Sequence, residues 1–513
     1  MKILPKGKLN GIYASQFNRL LYELRTYGRA SDIIWARIFD YVDLTKYDCE
    51  ALSYMTERII DALRLSNSIY EKASKFLFLA VLNKNDPKMV SVLINYALRN
   101  LLVMENSEEK MLMLSDAASI AYSASDYSLG DRIVDSIFAV SGSLGAIGEV
   151  EAHIYAGRAL YSKDLDESDT CFLEAYDMIP KISSKYARAI LLTKLASYYR
   201  EIFSDKVGRS ISAKWFDESL DFRKKYALSF EIFVSKTIAY IYRYDELLGT
   251  KYLDALLTNL LHRKDWKELL TNVLKTIKIA GIGLEPIIKI QRWLDVRYSR
   301  RKILDEDYAE MYSYLISAAK GIDQFKAFSL LRSTEDIIIY IEPEKFQLAL
   351  TILENIGSLD VALTYDLANI LVRDLVSRGD LKKAIILLSK TQTYFPNKID
   401  SIYRKVIEPK IKKMNIRELV DVIDILSKIG TRSIDTFLRE IINRAESMET
   451  TLKAKIIGRI GVGLIERNYS WSLQLIDYLN EVLQDVPLDA KAEIYADIGI
   501  GLYRKQKKLG IEI

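Results

Sequence analysis

Along almost its whole length this chain repeats one pattern: apolar residues at three- and four-residue spacing, a short polar turn, then the same spacing again. That period lines one face of a helix and leaves the opposite face polar. Phe17, Leu20, Leu21 and Leu24 form one such stripe, with Arg19, Glu23 and Arg25 largely outside it. Ile59, Ile60 and Leu63 form another, as do Phe76, Leu77 and Ala80, and Leu253, Leu256, Leu257 and Leu260. The breaks are Asn83–Pro87, Glu105–Ser107, Lys163–Asp166, Ser377–Asp380 and Asp485–Pro487, and Asp86 before Pro87 has the form of a helix cap with proline at the first helical position. Helices of roughly 12–20 residues joined by turns of roughly 2–8 residues set neighbours antiparallel. A hairpin with two amphipathic faces cannot bury both alone, so the next hairpin must cover the second. The expected fold is all-α, an α-solenoid of stacked antiparallel helical hairpins, in three regions: 1–104, 105–335 and 343–513.

Two places interrupt the rhythm. Ile337-Ile338-Ile339-Tyr340-Ile341 is rich in β-branched residues and would pass for a strand by propensity. A lone strand in a helical stack leaves its backbone groups unpaired, so a short helix or an extended linker competes with it. The segment is also the first candidate for a joint between halves of the stack, and Gly281 with Gly283 is the second.

The chain also echoes itself. Residues 456–464 (IIGRIGVGL) and 494–502 (IYADIGIGL) share I-x-x-x-I-G-x-G-L at a separation of 38 residues, a helical-hairpin period. Gly461, Gly463, Gly499 and Gly501 are expected to admit close helix contacts, since no third glycine, preceding strand or phosphate-binding lysine accompanies them. Two windows resemble the tetratricopeptide repeat, a helical hairpin of about 34 residues. In the first, Ala156, Phe172, Ala175 and Pro180 fall on that family's small, aromatic, alanine and closing-proline positions, with Ser168 replacing the usual crossing alanine. In the second, Leu371, Gly379-Asp380, Ala384 and Pro396 match, while Val372 and Thr391 depart from the family's small residues. The intervening periods are longer, about 38–42 residues, which departs from a regular tetratricopeptide superhelix and admits a resemblance to a HEAT-like stack. Both resemblances imply a surface that holds another macromolecule, without cofactors.

Lys plus Arg is 73 and Asp plus Glu is 69, a formal +4, too balanced to imply nucleic acid from bulk charge. The distribution is uneven: residues 104–177 hold 15 acidic and 4 basic residues, whereas residues 1–37 hold 7 basic and 2 acidic. Lys289, Arg292, Arg297 and Arg300 follow Pro286 and fall within an arc of roughly 140° at about 100° per residue, beside Trp293 and Tyr298. Lys410, Lys413 and Arg417 share a face after Pro409, read as a helix start. These seven cations are the candidate partner-binding residues, for phosphates or an acidic protein surface. Tyrosine is frequent at 33, and Tyr198-Tyr199-Arg200, Tyr240-x-Tyr242-Arg243-Tyr244 and Lys224-Lys225-Tyr226 are read as interface or core clusters. At the C-terminus, Arg504–Lys508 followed by Ile511-Glu512-Ile513 reads as a docking tail or a frayed end.

Catalytic signatures are absent: no H-E-x-x-H, C-x-x-C, G-x-S-x-G or phosphate-binding loop occurs. His153 and His262 have no metal-ligand companion at useful sequence spacing, and Asp164/Asp166 and Glu108/Glu109 read as loop or surface pairs. Two cysteines without a disulfide framework, few prolines (8) and 28% charged residues fit a reducing cytoplasm and a heat-adapted composition. The N-terminus has no signal-peptide pattern, and no uncharged apolar stretch is long enough to span a membrane. The expected role is a non-enzymatic adaptor or scaffold with no metal and no cofactor. Its expected partner is a protein; the alternatives are a ribosome- or ribonucleoprotein-associated factor using the basic faces, and a peptide-sensing repeat protein. Self-association is open to any such stack.

Overall fold

The computed structural model describes residues 17, 19–21, 32–45, 49–64, 69–339, 345–414, 419, 422–464, 468–492, 494–496 and 498–499. Among them every regular element is helical and none is a strand. The chain is an all-α solenoid of helical repeats. It divides into two compact units, the bodies of which are Trp35–Ile338 and the chain from Ile339 onward.

The first unit runs through α1 (Asp32–Thr45), α2 (Cys49–Arg64), α3 (Ile69–Leu82), α4 (Pro87–Leu101), α5 (Glu108–Ser123), α6 (Tyr127–Ser141), α7 (Gly145–Leu160) and α8 (Leu165–Met178). It continues with α9 (Lys185–Ile202), α10 (Lys206–Lys225), α11 (Phe230–Tyr244), α12 (Glu246–Asn259), α13 (Trp266–Ala280), α14 (Glu285–Ser299), α15 (Asp305–Lys320) and α16 (Gln324–Ile339). Helices α3/α4, α5/α6, α7/α8, α9/α10 and α11/α12 pair as hairpins, and the odd-numbered helices α3 to α15 pack on one another in a row. That arrangement makes the odd helices an inner layer. Its consequence is visible in α9, buried without interruption from Leu191 to Tyr199, whereas its partner α10 buries only Gly208, Ser212, Trp215, Phe216 and Ser219. A helix buried all round must be apolar all round or find partners for its polar groups.

The repeat is written in its caps. Asp86, Asp126, Asp164, Asp205 and Asp245 each accept a backbone N–H at the start of α4, α6, α8, α10 and α12. These aspartates lie 40, 38, 41 and 40 residues apart, so the first unit keeps the longer of the two periods. Each cap contributes about 1 kcal/mol by occupying an otherwise orphaned donor. Asp323 serves α16 in the same way through Lys326 N–H at 2.9 Å.

Ile337, Ile338 and Ile339 finish α16 and are helical, not a strand; Tyr340 and Ile341 lie outside the described residues. Intrahelical bonding satisfies their backbone groups, which outweighs a propensity difference of at most about 1 kcal/mol per residue. Gly281 is not a joint between units: with φ +61° it is the left-handed cap that ends α13 inside the first unit.

The second unit contains α17 (Phe346–Ile356), α18 (Val361–Ser377), α19 (Leu381–Thr391), α20 (Pro396–Ile402), a wide π-type turn over Tyr403–Ile407, α21 (Glu408–Ile411), α22 (Ile423–Leu426), α23 (Arg432–Ala445), α24 (Thr450–Leu464) and α25 (Tyr469–Val482). Pro409 stands in the first turn of α21, the helix-start position its sequence context implied, directly after the π-type turn in the run that starts at Pro396. Lacking an N–H, it cannot bond the carbonyl four residues back, and the run is wound more loosely there. Gly379 turns α18 into α19 at φ +85°.

The two tetratricopeptide-like windows coincide with the hairpins α7/α8 and α18/α19. At the first crossing the Ser168 hydroxyl donates to the Gly157 carbonyl at 2.7 Å. The echo in the second unit repeats this bond: the Ser472 hydroxyl donates to the Gly461 carbonyl at 2.7 Å, again 11 residues on. Gly458, Gly461 and Gly463 are buried in α24, as close contact requires. At Gly499 a β-carbon would meet nothing within 4 Å among the described residues; Gly501 and the C-terminal tail lie outside them. Among the described residues no helix is long and apolar enough to cross a membrane.

Candidate functional site

The inner row of the first unit encloses charge. Lys194, on α9 amid Leu191, Leu192 and Leu195, is only 1% exposed. Its Nζ lies 2.5 Å from Glu108 Oε1 on α5 and 2.7 Å from Glu151 Oε1 on α7, and 4.7 Å from the centre of the Tyr155 ring. The hydroxyls of Tyr155 and Tyr240 donate to the same Glu108 oxygen at 2.8 and 3.2 Å. Burial would lower the Lys194 ammonium, but the two carboxylates outweigh it and hold it well above its ordinary range. Burial likewise opposes ionised Glu108, yet Lys194 and its hydrogen-bond donors keep that carboxyl below its usual range. Glu151 is raised, by burial first and by Glu108 second. Glu108 is therefore not half of a surface pair, as its place beside Glu109 suggested: it turns inward across the curl of the inner row.

Around this ion triad the tyrosines form a wall. Tyr198 sits edge-on to Tyr155 with ring centres 5.8 Å apart, and Arg243 lies 4.7 Å above its ring. Arg158 bonds Asp116 at 2.5 Å, and Arg243 bonds Glu201 and the Ala280 carbonyl of α13. Tyr198, Tyr199, Tyr240 and Tyr242 are all buried, which assigns these four tyrosines to the interior, whereas Lys224 and Lys225 of the third cluster are exposed. The buried Tyr198 hydroxyl has no hydrogen-bond partner among the described residues.

Beside this wall, α3, α5 and α13 border an open cleft of about 410 Å³. Phe78, Val81, Leu112 and Ile120 supply apolar surface, and Glu109, Asp116 and Lys278 supply charge. Phe78 and Val81 are large apolar side chains left 46% and 48% exposed. Surrounding protein lowers the Lys278 ammonium through desolvation, with Glu109 opposing and Lys320 adding to the shift. The arrangement suits a segment that carries both apolar and charged side chains.

The predicted basic faces belong to different units. Lys289 is held by Asp254 at 2.8 Å, and the Trp293 indole donates to the Leu257 carbonyl at 2.8 Å, fixing α14 on α12. Arg297 lies 5.9 Å from the Trp293 ring centre. Arg292 and Arg300 are exposed, and neither has an ion-pair partner among the described residues. Lys410 and Lys413 are exposed on the second unit, and Arg417 lies outside the described residues.

His153 does acquire companions. The α7/α8 hairpin brings it against Cys171 and Glu174, with one ligand-type atom from each lying within 4.8 Å of the others. Its Nδ1 is 3.1 Å from Glu174 Oε2. Burial lowers the imidazole, against the pull of Glu174 and Glu149. The Cys171 thiol is pushed up to about 11 by burial, then by Glu174 and Glu167. Sequence spacing concealed this set because its members sit on facing helices; the adjacent signal was Cys171 and Glu174 at i and i+3.

No protein-family model and no curated protein matches the chain. Among solved structures it is similar to Ton1535 from Thermococcus onnurineus NA1, at 10% identity and TM-score 0.22, over 82% of this chain and 99% of that one. It is also similar to a circular tandem repeat protein with novel repeat topology, at 12% identity and TM-score 0.16, over 96% and 98%.

Proposed function

We propose that this protein is a non-enzymatic helical-repeat scaffold, built of tetratricopeptide-like or HEAT-like hairpins, that holds a segment of a partner protein in the cleft between α3, α5 and α13. The observation that carries this reading is the exposed apolar surface of Phe78 and Val81, set beside Glu109, Asp116 and Lys278 in one concavity. Apolar anchors surrounded by charge give both affinity and register to a bound segment. The neighbouring inner-row ions are already bonded to one another, so they stiffen the wall of the cleft and offer little to a ligand. A ribonucleoprotein partner is the second reading, favoured by exposed Arg292 and Arg300.

Capture from native lysate, with and without nuclease, separates the two. The paired change Val81→Arg and Glu109→Lys alters only the cleft, and a second variant changes Arg292, Arg297 and Arg300 to Gln. Under the protein reading, capture survives nuclease and the arginine changes and is lost in the cleft variant. Capture that persists in the cleft variant rejects the cleft. Loss on nuclease treatment together with loss in the arginine variant transfers the site to α14.

A further inference from the structure

Helices α7 and α8 carry three different kinds of metal-binding donor on facing surfaces: the His153 imidazole, the Cys171 thiol and the Glu174 carboxylate. Two features separate this group from an ordinary polar contact. The buried His153 Nδ1 has no hydrogen bond of good geometry among the described residues, although Glu174 Oε2 lies 3.1 Å away and pulls on the imidazole. The separation is also close to what a shared ion needs: bonds of about 2.0–2.2 Å to nitrogen and oxygen at tetrahedral angles place those two atoms about 3.3–3.5 Å apart. The Phe138 ring stands edge-on to the imidazole at 5.0 Å, so this side of the ring is walled by apolar surface. Cys171 and Glu174 are one helical turn apart on α8, and the third ligand comes from α7.

We propose that His153, Cys171 and Glu174 form a binding site for one zinc-class divalent ion, clamping α7 to α8. A thiolate and an imidazole favour zinc, cobalt or copper over magnesium and calcium, which take oxygen ligands. Glu174 is half-exposed, so it can swing to close the set, and its solvent side leaves the fourth position to water. Glu149 on α7 and Glu167 on α8 face the same group and add negative potential. Binding converts the Cys171 thiol to a thiolate and releases one proton to solvent; no electron moves. The site goes beyond the scaffold reading and does not depend on it. It is distinct from the cleft and from the Lys194 cluster.

The test uses full-length, metal-stripped protein and added Co²⁺, followed by displacement with Zn²⁺. One ion per chain is expected, with the strong absorption of thiolate-to-cobalt charge transfer, bleached as Zn²⁺ displaces the cobalt. Cys171→Ser and His153→Gln should lose tight binding, Glu174→Gln should weaken it, and Cys49→Ser should leave band and stoichiometry unchanged. Circular dichroism and melting of each variant, recorded without metal, separate loss of the site from loss of fold. Should Cys171→Ser melt early, alkylation of Cys171 in the folded parent replaces it: bound Zn²⁺ must protect this thiol. No cobalt binding by the folded parent, a band that disappears with Cys49 instead of Cys171, or equal binding by parent and His153→Gln overturns the assignment.

Discussion

The two units solve the same packing problem with different interiors. In the first, the inner-row helices carry Lys75, Lys110 and Lys194 as buried side chains, and an ion triad with tyrosines joins α5, α7, α9 and α11. In the second, the buried polar residues among those described are Ser358, Thr364, Thr391, Ser427, Thr431 and Ser472, and none is charged. Yet both share the serine-to-glycine crossing of α7/α8 and α24/α25. The hairpin contact is thus the common element, while the inner layer is specific to each unit. Apolar packing is tolerant of small shifts, whereas a buried ammonium demands its partners at fixed places.

The largest expected break between the units is at Lys194. Lys194→Met strands Glu108 and Glu151 beside one another, and removing one side of a buried ion group typically costs about 3–5 kcal/mol. Partial exposure of Glu108 puts this case near the lower figure. Hydrogen exchange resolved by peptide should show α5, α7, α9 and α11 losing protection and α18 to α25 unchanged. Adding Glu108→Gln and Glu151→Gln to Lys194→Met should recover most of the loss, because the remaining groups are then neutral. Equal loss of protection in both units would show that the triad's stabilisation is not confined to the first.

A smaller effect tests what the units share. A β-carbon at Gly157 would stand 2.9 Å from the Phe172 ring and 3.1 Å from the Ser168 carbonyl oxygen. At Gly461 its nearest neighbour would be Ile476 Cγ1 at 3.3 Å, with Ser472 O at 3.7 Å. Gly157→Ala should therefore lower the unfolding free energy by about 1–3 kcal/mol through overpacking. Gly461→Ala should be near neutral, since a small shift of Ile476 is offset by about 0.5–1 kcal/mol of helix propensity. Denaturant midpoints of the two variants decide this, and a larger loss at Gly461 would show the crossings to be differently packed.

The smallest effect is a pH slope confined to the first unit, which holds both histidines. In the metal-free protein, burial depresses the His153 imidazole below 6.5, so the folded state binds fewer protons than the unfolded chain just below that value. Its contribution is complete above pH 6.5 and disappears as pH falls from there through the folded value. His153→Gln should flatten the melting temperature of the first unit over that window relative to the parent. Parallel slopes for both proteins would remove His153 from the acid response.

Much of the architecture was legible beforehand. The stripe at Leu253, Leu256, Leu257 and Leu260 is buried as its spacing implied, and Asp86-Pro87 caps α4 as written. Both readings depend on a few consecutive residues. The capping aspartates at 38–41-residue intervals were a further repeat signal in the sequence. Lys194 offered a fainter one, a lone charge within Ala189–Ala196, an otherwise largely apolar run. The candidate basic faces were weaker guides, since helical angle reports which residues share a side but not what stands opposite. Lys289 faced Asp254 and Trp293 faced a carbonyl.

The sequence by itself determined the helices, their ends and the need to stack, because periodicity and capping are local and each hairpin has a second face to cover. Only the tertiary structure decided that Glu108 meets Lys194 across 86 residues, and that His153 meets Cys171 and Glu174. Those encounters depend on the curl of the inner row and the crossing of each hairpin. Small rotations accumulated over successive repeats set both, and no single window of sequence contains them.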